Sequence, residues 1–427
     1  MPREAHPESY YAATATPLPE FPELTGEIGA EVCVVGGGYA GLSTALELAE
    51  RGFDVVLLEA RRVGWGASGR NGGQICTGYA AGMGQIEGRV GKDDARRLFA
   101  LAEEAKAIIR ERVARLAIDC QLKWGYFHAA GKPRQQRALA LTQERWARDF
   151  GYDATRLVEG PDAVAGYVNS SAYVGGLFDG RAGHLHPLNY CLGLARGAAA
   201  AGVRIFEGSE VQALDFGARP RARCARGSVK ARFLVLCGNA YLGNLVPPMR
   251  RKIMPVGTYI GATRPLGAAR ARALIPDDIA VSDCNFVLNY FRLSPDDRML
   301  FGGRVSYSTI VPPDLPRALR KKMLAVFPGL ADVGFDYTWG GFVAITVERT
   351  PHLGRIGSNV YFAQGFSGQG VALTGVAGRL LAEAISGQAG RFDVLARLPH
   401  TTFPGGRLLR TPTLALAMLW YRLRDLL

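Results

Sequence analysis

Six consecutive residues, Gly36-Gly37-Gly38-Tyr39-Ala40-Gly41, satisfy the spacing G-x-G-x-x-G. In that spacing Gly36 permits a tight turn and Gly38 lets the backbone approach a pyrophosphate. Gly41 lets the following helix pack closely on the preceding strand, while the helix N-terminus attracts the phosphates. An acidic residue belongs roughly 20 positions later, where it accepts hydrogen bonds from ribose hydroxyls; Glu59 stands there. The fingerprint alone does not separate a flavin from a nicotinamide dinucleotide. The next stretch, Gly64-Trp65-Gly66-Ala67-Ser68-Gly69-Arg70-Asn71-Gly72-Gly73-Gln74, does. Its glycines, hydroxyl and amides can run backbone N–H groups along a pyrophosphate and then pass tightly against a flat ring. The cofactor expected is FAD.

These residues need a particular frame. Ala30-Glu31-Val32-Cys33-Val34-Val35 is a short apolar run ending at Gly36, a helical pattern follows over 42–51, and Asp54-Val55-Val56-Leu57-Leu58-Glu59 is a second run. That order is a βαβ unit whose parallel strands are buried on both faces. Long helices are predicted over 92–118 and 133–150. A helix over 188–201, then Val203-Arg204-Ile205-Phe206 and Arg232-Phe233-Leu234-Val235-Leu236, read as returns to the nucleotide unit, and the block 250–342 alternates like antiparallel sheet. Val360-Tyr361-Phe362-Ala363, Gly365 and a small-residue helix over 370–385 repeat the N-terminal device.

The fold class expected is therefore α/β, a Rossmann-like FAD-binding domain with a second α+β substrate domain built on an antiparallel sheet. The division expected is 1–85, 183–245 and 343–427 for the discontinuous FAD-binding domain, and 86–182 with 246–342 for the substrate-binding domain. A chain of 427 residues, 48% hydrophobic, has material for two such cores. The seven cysteines are scattered, odd in number and never spaced C-x-x-C, so neither a disulfide framework nor a metal site is expected. The net charge of +13 is spread over many arginines, and the longest basic run is Arg250-Arg251-Lys252, too short for a nucleic-acid tract. No apolar stretch has the length of a spanning helix and no secretory leader is evident, so the expected location is cytoplasmic. The tail 414–427 is expected to dock on the body.

Several of these motifs together resemble the D-amino-acid-oxidase superfamily of flavoproteins, and within it the gamma-glutamylputrescine oxidoreductase group. They are Gly36 to Gly41, Glu59, the GASGRNGGQ stretch 66–74, Gly183-His184-Leu185-His186-Pro187, Val235-Leu236-Cys237-Gly238-Asn239-Ala240-Tyr241, Phe301-Gly302-Gly303-Arg304, Ala363-Gln364-Gly365-Phe366-Ser367-Gly368-Gln369-Gly370-Val371, Phe403-Pro404-Gly405-Gly406 and Trp420-Tyr421-Arg422. The resemblance implies extended FAD. Gly36, Gly38, Tyr39, Ala40, Gly41, Glu59 and Ala60 would serve its ADP half, with Ala67, Ser68, Arg70 and Asn71 beyond them. Gly72, Gly73 and Gln74 would lie near the isoalloxazine and Val211 would meet the adenine. Gly238 and Asn239 join this set, as do Gly365, Gly368, Gln369, Gly370 and Val371, which form the second flavin turn. The group commonly carries His where this chain has Gln369.

No Ser-His-Asp, Cys-His or metal-ligand spacing stands out, as suits an enzyme whose flavin accepts the hydride while the protein aligns the substrate. The α-amino-acid oxidases of the superfamily carry a carboxylate-clamping Arg in the segment matching Trp339-Gly340-Gly341-Phe342-Val343-Ala344. Val343 and Ala344 stand there instead, which favours an amine without an α-carboxylate, such as gamma-glutamylputrescine. Oxidation would give an imine that hydrolyses to an aldehyde, with oxygen or another acceptor taking the electrons. Two alternatives stay open: oxidation of an α-amino or N-methyl amino acid, and modification of tRNA side chains. His186, Tyr259, Tyr290, Arg292 and Arg304 are the candidate pocket residues, although His186, like His184, sits at a helix start where a structural role is common.

Overall fold

A computed structural model describes residues 4–285, 288–303 and 313–404. Arg304, Gly405, Gly406, Trp420, Tyr421, Arg422 and the tail 414–427 lie outside the described residues.

Two sheets carry the architecture. The first runs in the order Val360–Gln364, Gly227–Leu236, Gly26–Val35, Val55–Leu58, Arg204–Phe206, all parallel, with His352–Ile356 antiparallel on the outer edge. Val34 is opposite Val235 on one side and Leu57 on the other. Strands flanked in this way are buried on both faces, which explains their unbroken apolar runs. Helix Tyr39–Ala49 leaves the first strand and helix Gly370–Ile385 leaves the last, and the two pack together where a Cβ on Gly378 would lie 2.5 Å from that of Ser43. The buried carboxylate of Glu47 receives Arg112, from helix Lys92–Arg115, at 2.9 Å and Arg379 at 3.0 Å, so three helices are joined at one point.

The second sheet runs Phe335–Ile345, Met254–Thr263, Met299–Gly303, Asn289–Leu293, Ala280–Asp283, Lys123–Ala130, Gly175–His184, Gln74–Ile75, with Thr155–Glu159 also on Gly175–His184. All contacts are antiparallel except Ala280–Asp283 with Lys123–Ala130. Gln74–Ile75 and the stretch 343–345, which the sequence reading assigns to the nucleotide side, pair within this sheet. Pleating separates its faces. Phe127, Val281, Phe291 and Phe301 pack with Met323 and Phe327 of and beside helix Leu315–Val326. The opposite face carries His128, Ser282, Tyr290, Gly302, Ile260 and Trp339 in one cross-sheet row. That row turns toward the nucleotide unit, since Trp339 Nε1 donates to the Arg70 carbonyl at 3.1 Å.

The N-terminal segment forms a short helix, Tyr10–Ala13, whose two tyrosines are buried against the second sheet and His186. Tyr11 meets Trp339 and His186 edge-on at 5.0 Å each. Among the described residues no helix is long and apolar enough to cross a membrane.

Candidate active site

The turn after Gly26–Val35 places Gly36 at φ +109°, where L side chains are strained, and a Cβ on Gly41 would lie 1.9 Å from the Gly36 carbonyl oxygen. Both glycines are thus required by backbone geometry, the first for the turn and the second for helix packing. Gly38 caps helix Tyr39–Ala49 without a side-chain bond, no acidic residue occupies the first helical turn, and Tyr39 N–H is held by Ser68 Oγ at 3.0 Å. Glu59 accepts from Gly37 N–H at 2.7 Å and Arg61 N–H at 2.9 Å. Burial raises its pKa against the pull of those two bonds.

The second glycine turn faces the first. Gly365, Ser367 and Gly368 all have positive φ. Helix Gly370–Ile385 begins without a side-chain cap or an acid in its first turn. Asn239 Oδ1 accepts from Gly365 N–H at 2.9 Å and so ties this turn to the end of the central strand. Two helix N-termini therefore border one cleft, an arrangement that favours a phosphate at one and developing negative charge at the other.

That cleft, about 360 Å3, is lined by Gly36, Gly38, Tyr39, Ala40, Glu59, Ala60, Ala67, Ser68, Asn71, Val211, Gly238, Asn239, Gly368, Gly370 and Val371, all singled out in the sequence. Its size is in the range that takes cofactors, roughly 300–1,000 Å3. Two helix starts without acidic residues, a Cβ-free turn and the buried carboxylate of Glu59 together fit a dinucleotide. Seven other expected residues stand behind or beside the wall. Gly41 and Gly365 pack inward, Gly365 against Thr346. Gln369 occupies the N-cap position of the second helix without a capping bond, its Oε1 buried and unpartnered among the described residues. Gly72, Gly73 and Gln74 follow Asn71 into the second sheet; a Cβ on Gly73 would lie 2.1 Å from the Leu185 carbonyl oxygen. Arg70 lies behind Trp65, its Cζ 4.1 Å from the ring centroid, and donates to the carbonyls of Trp65 and Gly340.

Sequence reasoning missed Arg61, Trp65, Tyr241 and Phe342, which also line the cleft. Tyr241 lies edge-on to Trp65 at 5.8 Å and takes Phe342 N–H on its hydroxyl at 3.2 Å. An aromatic cluster from three distant segments has no local pattern by which to find it.

The pocket candidates fare unevenly. Tyr290 is half-buried on the face toward the nucleotide unit; its ring lies over Gly302, where a Cβ would be 2.1 Å from Cε2, and reaches Gly72. Arg292 shares that face but is buried and spent on backbone: Nε donates to Gly72 O at 3.0 Å, Nη1 to Leu293 O, and Nη2 to Leu185 O and the Tyr11 hydroxyl. Tyr259 faces the other way, against Leu315 and Leu319, because it alternates with Ile260. His186 is a helix cap, accepting Asn189 N–H at Nδ1 and meeting Thr14 Oγ1 at Nε2. Burial, then the Arg292 charge, brings its pKa down to about 3, and it stays neutral. None of these four lines the cleft itself; Tyr290 and Arg292 lie on the sheet face turned toward it, whereas Tyr259 points away and His186 serves as a cap.

The family model described as "FAD dependent oxidoreductase" (DAO) matches residues 31–384. The chain is 44% identical over 421 residues to gamma-glutamylputrescine oxidoreductase of Escherichia coli (strain K12), covering 98% of each. It is 40% identical to a probable oxidoreductase, OrdL, of Haemophilus influenzae, covering 99% of this chain and 98% of the other. Glycine oxidase from Bacillus cereus shares the fold with a TM-score of 0.71 at 20% identity, over 86% of this chain and 99% of its own. With a cleft of this form and a family match over most of its length, the chain belongs to the DAO family of FAD-dependent oxidoreductases.

Proposed function

We propose that this enzyme oxidises the terminal amine of gamma-glutamylputrescine or a closely related amine. The observation that carries the reading is the apolar wall formed by Val343 and Ala344, which line the cleft where an α-amino-acid oxidase would present its carboxylate clamp. The 44% identity to the Escherichia coli enzyme supports the same substrate class. In this reading the two glycine turns, Glu59, Ser68, Asn71 and Asn239 hold FAD. The described parts of 1–85, 183–245 and 343–427, apart from Gln74–Ile75 and 343–345 in the second sheet, form its domain, and the other described residues hold the amine.

When bound, FAD supplies the two-electron acceptor for the hydride on the amine-bearing carbon. The chain's own residues align that carbon: Tyr290 over Gly302 forms a flat wall beside Gly72, and Val343 and Ala344 add apolar lining to the cleft. Loss of hydride from carbon and a proton from nitrogen gives an imine, and water then releases aldehyde and ammonia.

The test is anaerobic mixing of purified enzyme with gamma-glutamylputrescine, putrescine, glycine, sarcosine and D-amino acids while following the visible flavin band. Rapid bleaching by the gamma-glutamyl amine is expected. Bleaching by α-amino acids alone would overturn the substrate assignment. Readmitting oxygen to the bleached sample then reports whether oxygen or another acceptor completes the cycle.

A further inference from the structure

Three lysine or arginine side chains are buried among the described residues: Lys106, Arg112 and Arg292. The first two have acids at hand, Glu103 at 2.8 Å and Glu47 at 2.9 Å. Arg292 forms no ion pair among the described residues. Its guanidinium bonds three carbonyl oxygens and one tyrosine hydroxyl, all neutral. An ionised group taken out of water without a counter-charge is costly, and a fold keeps one where some other charge repays it.

The position of this cation is specific. Its Nε holds the carbonyl of Gly72, the residue directly after the cleft-lining Asn71, and it lies 3.5 Å from where a Cβ on Gly73 would stand. Its field reaches the surrounding groups: after burial, the Arg292 charge is the next cause lowering both His184 and His186 to about 3. Those imidazoles are therefore neutral, and neither Tyr11 nor Tyr10 supplies an anion, since burial raises both phenols. None of these groups supplies a counter-charge to the cation, which stands behind Gly72 and Gly73 where the chain leaves the cleft-lining Asn71.

We propose that Arg292 is an electrostatic positioning residue whose missing counter-charge is the negative charge that a bound flavin acquires when it accepts electrons. It acts through space and through the Gly72 carbonyl rather than by touching the amine. The inference rests on the FAD-dependent reading of the cleft and adds the source of its electrostatic bias, complementing the N-terminus of helix Gly370–Ile385.

Sulfite tests the charge directly, because it adds to oxidised flavin to give an anionic adduct that bleaches the visible band without any amine. The holoenzyme with Arg292→Gln should bind sulfite about tenfold or more weakly than the native enzyme and show a lower flavin reduction potential, as expected for loss of one charge acting through a poorly screened interior. Arg292→Lys, which keeps the charge but loses the fork, should stay within about threefold of native. Tyr11→Phe removes a bond to the guanidinium and should leave the sulfite affinity unchanged. Equal sulfite affinity and potential in native and Arg292→Gln holoenzymes would overturn the proposal. If the Gln variant does not fold, a flavin-loaded Arg292→Lys with tenfold weaker sulfite binding overturns it, and one with native affinity upholds it. An error in the amine assignment would leave the sulfite result untouched, and failure here would leave amine bleaching untouched.

Discussion

Glu47 offers the sharpest test of how the cleft is held. Its Oε1 receives Arg112 Nη2 at 2.9 Å and Arg379 Nε at 3.0 Å, and its Oε2 receives Arg51 Nη1 at 2.6 Å. Replacing Glu47 by Gln keeps the shape and removes the charge, leaving the fully buried Arg112 beside a neutral amide. Removing one partner of a buried pair costs about 3–5 kcal/mol, because the other charge stays out of water. With a denaturant slope of about 3 kcal/mol/M, the urea midpoint should fall by roughly 1–1.7 M. The double variant Glu47→Gln/Arg112→Met, which removes the orphaned charge, should recover most of that loss. A midpoint shift below about 0.3 M for the single variant, roughly 1 kcal/mol, would refute the account of this cluster.

The same site carries a pH signature. Burial acts to raise the Glu47 pKa, but the bond from Arg51 and the charges of Arg112 and Arg379 outweigh it and hold the group below its ordinary value. A depressed carboxylate stabilises the fold fully above its unfolded pKa, near 4.3 for Glu, and loses that contribution as pH falls through the folded value. Native protein should therefore lose stability more steeply than Glu47→Gln below about pH 4, as read from thermal midpoints across the acid range.

Further perturbations separate the parts of the site. Gly41→Ala places a methyl 1.9 Å from the Gly36 carbonyl oxygen and should yield protein without flavin, judged by its visible absorbance. Asn239→Ala frees Gly365 N–H from its side-chain acceptor and should weaken FAD binding about fivefold, the value of one hydrogen bond, measured by flavin fluorescence. Gly302→Ala should displace the Tyr290 ring from Gly72, raising KM for the amine several-fold while flavin content holds; loss of flavin instead would argue against a substrate-side role.

Much of the nucleotide unit was legible because its signals are local. A strand, a glycine turn, a helix start and an acid at set spacing need no distant partner, and helices 133–150 and 370–385 coincide with Pro133–Phe150 and Gly370–Ile385. The substrate side was not, for two physical reasons. Strand alternation shows that Tyr259 and Ile260 point to opposite faces, yet which face meets the cofactor depends on where helix Leu315–Val326 packs. For Arg292, the sequence shows a cation on a strand but not the carbonyls of Gly72 and Leu185 that converge on it from far along the chain. Trp65, Tyr241 and Phe342 escaped for the same reason.

The strand order has a consequence for how the molecule comes into being. Gly227–Leu236 lies between Gly26–Val35 and Val360–Gln364, so a nascent chain that ends before residue 360 exposes an apolar parallel edge. Such edges recruit other chains until they are covered. The helix that packs on Ser43 and Thr44 and carries the second glycine turn is made later still. Flavin capture between the two glycine turns therefore waits until the chain has been made past residue 370.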